Sequence, residues 1–223
     1  MELNLAQFLE LSKEDSVQII DTRTDVEFLQ GYIPGSIHIG LDEIKTLNAL
    51  KIIEQDCPII LVCTQGTEAI LIKRFELLGY TQVKGFLQGG FSTWSDADQK
   101  IDLIIEVEVD ELAMDIPFDE YLMVLDIRAE EVYDKGHIKD AIHLPLIEFG
   151  DPGSMSELDE HFNIYIIDDL GKQLLLAASV LKKQGIHNIR IVKDGWDAVE
   201  FLKNKFKIVA SPKKNLSDDQ EYQ

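Results

Sequence analysis

The sequence predicts an α/β protein built from two copies of one unit, each a mostly parallel sheet with helices on both faces. Three observations carry this. The chain repeats itself at a spacing of 105 residues: Asp21-Thr22-Arg23 recurs as Asp126-Ile127-Arg128, Gly31-Tyr32-Ile33 as Gly136-His137-Ile138, Ser36-Ile37-His38-Ile39 as Ala141-Ile142-His143-Leu144, and Ile59-Ile60-Leu61-Val62 as Ile164-Tyr165-Ile166-Ile167. Short β-branched runs alternate with stretches of helical periodicity, the pattern of parallel strands joined by helical crossovers. Pro58 to Val62 reads as a buried strand, and Leu71, Phe75 and Leu78 form a helical stripe, so Cys63 falls where a strand stops and a helix starts.

In the first copy the strands expected are Val17 to Asp21, Ile37 to Ile39, Pro58 to Val62 and Val83 to Leu87, because each is a short apolar run bounded by polar or turn-forming residues. Helices are expected over Leu5 to Leu11, Leu41 to Ile52, Thr67 to Leu78 and Phe91 to Asp98. The second copy gives Met123 to Asp126, Ala141 to Leu144, Ile164 to Ile167 and Ile189 to Val192 as strands, with helices over Lys172 to Lys183 and Trp196 to Asn204. Asp96 to Lys100 is the linker candidate, and the turn-rich Gly150-Asp151-Pro152-Gly153-Ser154 is expected as a loop. The domains are therefore placed at residues 1–100 and 101–210, followed by a mobile tail, 211–223, that lacks apolar periodicity.

Composition narrows the function. With 45% hydrophobic and 28% charged residues the chain reads as an ordinary soluble globular protein, and it contains neither a long apolar run nor a leader-like N-terminus, so a cytoplasmic location is expected. A formal charge of −20, from 41 acidic against 21 basic residues, argues against nucleic acid and anionic membranes as partners. Cys57 and Cys63 flank one predicted strand, about 20 Å apart at ~3.3 Å per residue. A disulfide needs Cα atoms within ~7 Å. Cys63 is therefore expected as a free thiol and Cys57 as a buried packing residue.

Taken alone, Cys63 reads as a structural cysteine ending a strand, yet its position also suits a nucleophile. The loop after it holds Gly66, so its backbone amides can turn inward, and the following helix presents the positive end of its dipole. Such a place stabilises a thiolate and an anion together, and lowers a cysteine pKa. His38 and His143, each with apolar neighbours, read as packed histidines. Gly89-Gly90 lets a loop pass close to the site, with Trp94 expected as an aromatic cap and Trp196 as its counterpart. In the second copy the position of Cys63 is taken by Asp168, whose carboxylate can cap the next helix and fill the anion cradle itself. Asp168 and Asp169 read as capping and solvated carboxylates, not metal ligands, and neither metal nor cofactor is expected.

The six residues Cys63 to Glu68 between strand and helix are preceded by Asp21-Thr22-Arg23, Glu27-Phe28 and Gly31-Tyr32-Ile33-Pro34-Gly35-Ser36-Ile37. They are followed by Gly79-Tyr80 and Leu87-Gln88-Gly89-Gly90-Phe91-Ser92-Thr93-Trp94. In order and spacing this resembles a rhodanese-like sulfurtransferase domain, and the chain resembles the tandem form of that family. The resemblance implies that Cys63 takes a sulfane sulfur as a persulfide and passes it to a thiol, protein thiol or cyanide, within a cradle of Thr64, Gln65, Gly66, Thr67 and Glu68. It further implies that Asp21 and Arg23 form an internal ion pair and that the second domain, with Asp168, is inactive. Many relatives carry Arg, Ser or Thr where this chain has Glu68, and a histidine where it has Tyr32; Glu68 places thiosulfate, a dianion, in doubt as the donor. A non-catalytic binding module is the rival reading. A phosphatase of similar fold needs a loop one residue longer and an arginine six positions after the cysteine, where this chain has Ala69.

Overall fold

The computed structural model describes residues 1–41, 43–155 and 158–212. The first half runs β1 (Glu2–Leu3), α1 (Leu5–Leu11), β2 (Gln18–Asp21), α2 (Asp25–Leu29), β3 (Ile37–His38), a 3₁₀ turn at Ile44–Thr46, α3 (Leu47–Leu50), β4 (Ile59–Val62), α4 (Glu68–Leu77), β5 (Val83–Leu87) and α5 (Gly90–Asp96). The second half begins with β6 (Ile105–Val107), α6 (Val109–Asp115), β7 (Leu122–Asp126), α7 (Glu130–Tyr133), β8 (His137–Ile138) and β9 (Ile142–His143). After 3₁₀ turns at Leu146–Glu148 and Pro152–Met155 it continues with β10 (Asn163–Ile167), α8 (Leu174–Lys183), β11 (Ile189–Val192), α9 (Gly195–Phe201), a last 3₁₀ turn at Lys203–Lys205 and β12 (Ile208–Val209). The expected tail is described only at Ser211 and Pro212; the rest of it lies outside the described residues.

Two five-stranded parallel sheets result, ordered β1-β5-β4-β2-β3 and β6-β11-β10-β7-β9. The registers match: Asp21 lies opposite Val62, and Asp126 opposite Ile167. Cys63 and Asp168 are thus the first residues beyond equivalent strand ends. Both sheets are buried on both faces, as crossovers require. Along β4, Ile59 and Leu61 enter one core and Ile60 and Val62 another, and β10 divides Ile164 and Ile166 from Tyr165 and Ile167 in the same way.

Some expectations give way. The single helix expected over Leu41 to Ile52 is a 3₁₀ turn followed by the one-turn α3. Thr46 Oγ1 donates to Glu43 O at 2.7 Å, a side-chain bond that competes with helical pairing, and Lys51 ends the segment at φ +51°. The turn-rich stretch at Gly150 contains a short 3₁₀ turn. The short α2 passed unread although Thr24 and Glu27 form a reciprocal capping box at its start.

The inner faces of both sheets share one core. It joins Ile20, Ile37 and Ile39 of the first half to Leu174, Ala178 and Leu181 of α8, and nine consecutive residues of that helix are buried. At about 1.5–3 kcal/mol for each fully buried large apolar side chain, this shared layer is a major stabilising contribution. Polar links cross the same boundary. The His38 N–H donates to Ser179 Oγ at 3.0 Å, and Lys182 Nζ donates to Asp102 Oδ1 at 2.8 Å and to Leu103 O at 2.7 Å. Asp102 in turn forms an antiparallel bridge with Tyr32, the counterpart of the β8–β12 pair in the second half.

Gly150 sits against the other half: a Cβ there would come within 2.8 Å of Leu50 O and 2.9 Å of Lys51 O. Because backbone must move to admit it, Gly150→Ala is expected to cost about 1–3 kcal/mol. Urea unfolding with an unchanged m-value checks this; a loss under a few tenths of a kcal/mol would mean that the halves do not meet at Gly150.

Candidate functional site

Asp21 and Arg23 build the floor of the site. Asp21 is the last residue of β2 and fully buried. Arg23 turns back over it, its Nε 3.0 Å from both carboxylate oxygens and its Nη2 2.6 Å from Oδ2. The remaining guanidinium donors reach Gly31 O at 2.9 Å and Glu27 O at 3.3 Å, so one side chain clips together the loops around α2. Asp126 and Arg128 repeat the arrangement, Nη2 donating to Oδ2 at 2.7 Å and to Gly136 O at 2.9 Å. An aromatic ring covers each guanidinium: Phe91 at 4.1 Å from Arg23, Trp196 at 3.7 Å from Arg128.

Above Arg23 opens a cavity of about 380 Å³ lined by Cys63, Thr64, Gln65, Glu27, Gln30 and the turn from Gly89 to Ser92. Gly90, at φ +64°, lets that turn pass close beneath the loop, since a Cβ would lie 3.1 Å from Cys63 O. Trp94, expected as the aromatic cap, is instead packed in the outer core against Phe8, its Nε1 donating to Lys100 O at 2.7 Å. Phe91 takes the capping place. The repeat spacing held the signal, because Phe91 and Trp196 are 105 positions apart whereas Trp94 corresponds to Val199.

The predicted cradle is assembled only in part. Thr64 and Gln65 line the cavity, whereas Thr67 closes the loop on itself, its Oγ1 and N–H both donating to Thr64 O at 2.6 and 3.1 Å. Glu68 folds back so that the Gly66 N–H donates to both its carboxylate oxygens at 3.0 and 2.9 Å. The expectation of a depressed cysteine pKa fails for this reason and for burial. Burial first, then the Glu68 and Asp21 carboxylates, push the Cys63 thiol up to about 11, against the opposing effect of the Thr67 hydroxyl. Cys63 is 4% exposed, while Cys57, expected to be the buried one, is partly exposed and donates its S–H to Glu54 Oε2 at 3.0 Å. Both are free thiols.

In the second half Asp168 occupies its own cradle, accepting the Gly171 N–H and, at 2.7 Å, the Gln173 N–H at the start of α8. Burial raises its pKa while those amides oppose the rise. His38 is buried against Phe28 with Nε2 2.9 Å from Asp25, and His143 lies 2.8 Å from Arg128 O, so both are tied to structure and neither lines the cavity.

With this geometry in view, the comparison with known families decides the kinship: the Rhodanese-like domain model matches residues 4–97 and again 108–201. The chain belongs to the rhodanese-like domain family. Residues of the chain are 36% identical over 92 positions to the candidate sulfur carrier protein YrkF of Bacillus subtilis, covering 41% of this chain and 49% of that protein. The chain thus spans about half the length of that relative. A thiosulfate sulfurtransferase, GlpE of Shewanella oneidensis, is 28% identical over 101 residues, covering 43% of this chain and 93% of the other. The crystal structure of a thiosulfate sulfurtransferase from Pseudomonas aeruginosa aligns over 96% of this chain and 44% of its own, with a TM-score of 0.41 and 15% identity. The relatives therefore carry the names of sulfur-transfer proteins.

Two measurements follow. Asp21→Ala strands a buried guanidinium and is expected to cost about 3–5 kcal/mol in urea unfolding, against near-neutrality for an exposed ion pair. Peptide-resolved alkylation by iodoacetamide should be slow at Cys63 near neutral pH and climb steeply toward its pKa of about 11. A plateau already reached below about pH 8.5, the free-cysteine reference, would contradict that environment.

Proposed function

We propose that the chain is a sulfurtransferase working through Cys63. The observation that carries the reading is the free thiol of Cys63, at the carboxyl end of β4 in a rhodanese-like domain, bordering a cavity large enough for a small donor. The Cys63 thiolate attacks the outer sulfur of a sulfane donor; a new S–S bond forms, the donor's S–S bond breaks, and its electron pair leaves with the departing thiolate or sulfite. An acceptor thiolate or cyanide then attacks the same sulfur, and Cys63 leaves as thiolate. The partners are thus a small sulfur donor and a thiol, protein thiol or cyanide acceptor. Because the thiol is pushed up to about 11, the ionised fraction is small at neutral pH, and transfer should accelerate as pH rises.

The second half takes a supporting role in this proposal. A carboxylate oxygen cannot form a persulfide, so Asp168 excludes the chemistry there while satisfying the amides of its own loop. The rival reading, a binding module without catalysis, draws its support from the same buried and protonated thiol.

Incubation with a sulfane donor followed by peptide mass analysis separates the two. The Cys63 peptide should gain one sulfur atom, Cys63→Ala should abolish transfer to cyanide, and Cys57→Ser should leave it intact. Transfer that survives in Cys63→Ala would sink the proposal, and absence of any adduct on Cys63 would favour the binding module.

A further inference from the structure

We infer that Glu68 is a built-in ligand of the Cys63 loop that selects against anionic sulfur donors, fitting the site to persulfides that carry an ammonium group. This rests on the sulfurtransferase reading and names its substrate class. A loop after a strand normally offers its amides to an incoming anion. Here the Gly66 N–H is held by both oxygens of Glu68, and the Thr67 N–H by Thr64 O. The one cation among the described residues lining the cavity, Arg23, spends its Nε and Nη2 on Asp21, Nη1 on Glu27 O and the rest of Nη2 on Gly31 O.

The remaining charge around the thiol is negative. Glu27 lines the cavity with its carboxylate held by the Thr24 N–H and hydroxyl, Asp21 lies beneath, and Glu68 and Asp21 both oppose ionisation of Cys63. Among the described residues lining the cavity, a dianion such as thiosulfate therefore meets a carboxylate and a single guanidinium whose donors are bonded to protein at four of five positions. The other half reaches the same end with a different residue, since Asp168 takes the Gly171 and Gln173 amides. A donor ammonium would pair with Glu68, draw it from Gly66 and return that amide to the reacting sulfur. The chemistry is balanced: Cys63–S⁻ plus R–S–SH gives Cys63–S–SH plus R–S⁻.

The test measures initial rates of sulfur loading on Cys63 from thiosulfate, 2-hydroxyethyl persulfide and 2-aminoethyl persulfide. The last two share reacting atoms and differ in one positive charge. Wild type, Glu68→Gln and Glu68→Ala are compared, and the pH profile of iodoacetamide alkylation is recorded for each. Wild type should load fastest from the aminoethyl donor and slowest from thiosulfate. Glu68→Gln, which removes charge but keeps an acceptor for Gly66, should raise the thiosulfate rate by about tenfold, erase the preference for the aminoethyl donor and move the alkylation profile to lower pH. Glu68→Ala should do the same and also free the amide. Loading from all donors with no dependence on Glu68 would overturn the inference alone; no loading from any donor in any variant would overturn the sulfurtransferase reading and the inference with it.

Discussion

One helix without a solvent-facing side constrains the whole molecule. From Leu174 to Leu181 the sequence of α8 contains no charged residue, so any stable arrangement has to cover it all round. The second sheet covers one side through β10 and β11, and the first half covers the other through β3 and its neighbours. Ser179, a polar residue in that helix, would be a liability there, but it accepts the His38 N–H and donates to Leu176 O at 2.9 Å. Its counterpart α4 differs in kind: only Leu71 and Phe75 are buried, and Ile70 and Leu77 face water.

A second constraint is repeated in each half. A buried aspartate at a strand end must be paired, and each is paired with an arginine two residues on whose Nη2 also ties down the next loop, at Gly31 O or Gly136 O. The pair persists in the copy that has no cysteine, which makes it architecture in both. Its consequence for the site is indirect but strong, because Arg23, with four of its five N–H donors bonded to scaffold, has little left for a substrate anion.

The strands and the duplication were legible because they are written in local pattern: the bounds of α1 and of β11 are those the periodicity gives. The broken helix before Ile52 was not, since Thr46 had to be seen bonding Glu43. Cys63 was legible from its place between strand and helix. The character of its thiol was not. That depends on burial and on which way Glu68 turns, and both are decided by packing beyond the loop. The aromatic cap was misassigned to Trp94 although the internal repeat pairs Phe91 with Trp196.

The shared core makes the two copies a tethered pseudo-dimer. Where two separate chains would pay for association each time, and come apart on dilution, these halves meet at the fixed effective concentration set by a linker of a few residues. Their pairing is therefore independent of how much protein is present. A cut at the linker would turn that fixed pairing into an ordinary association between two halves whose inner sheet faces are apolar.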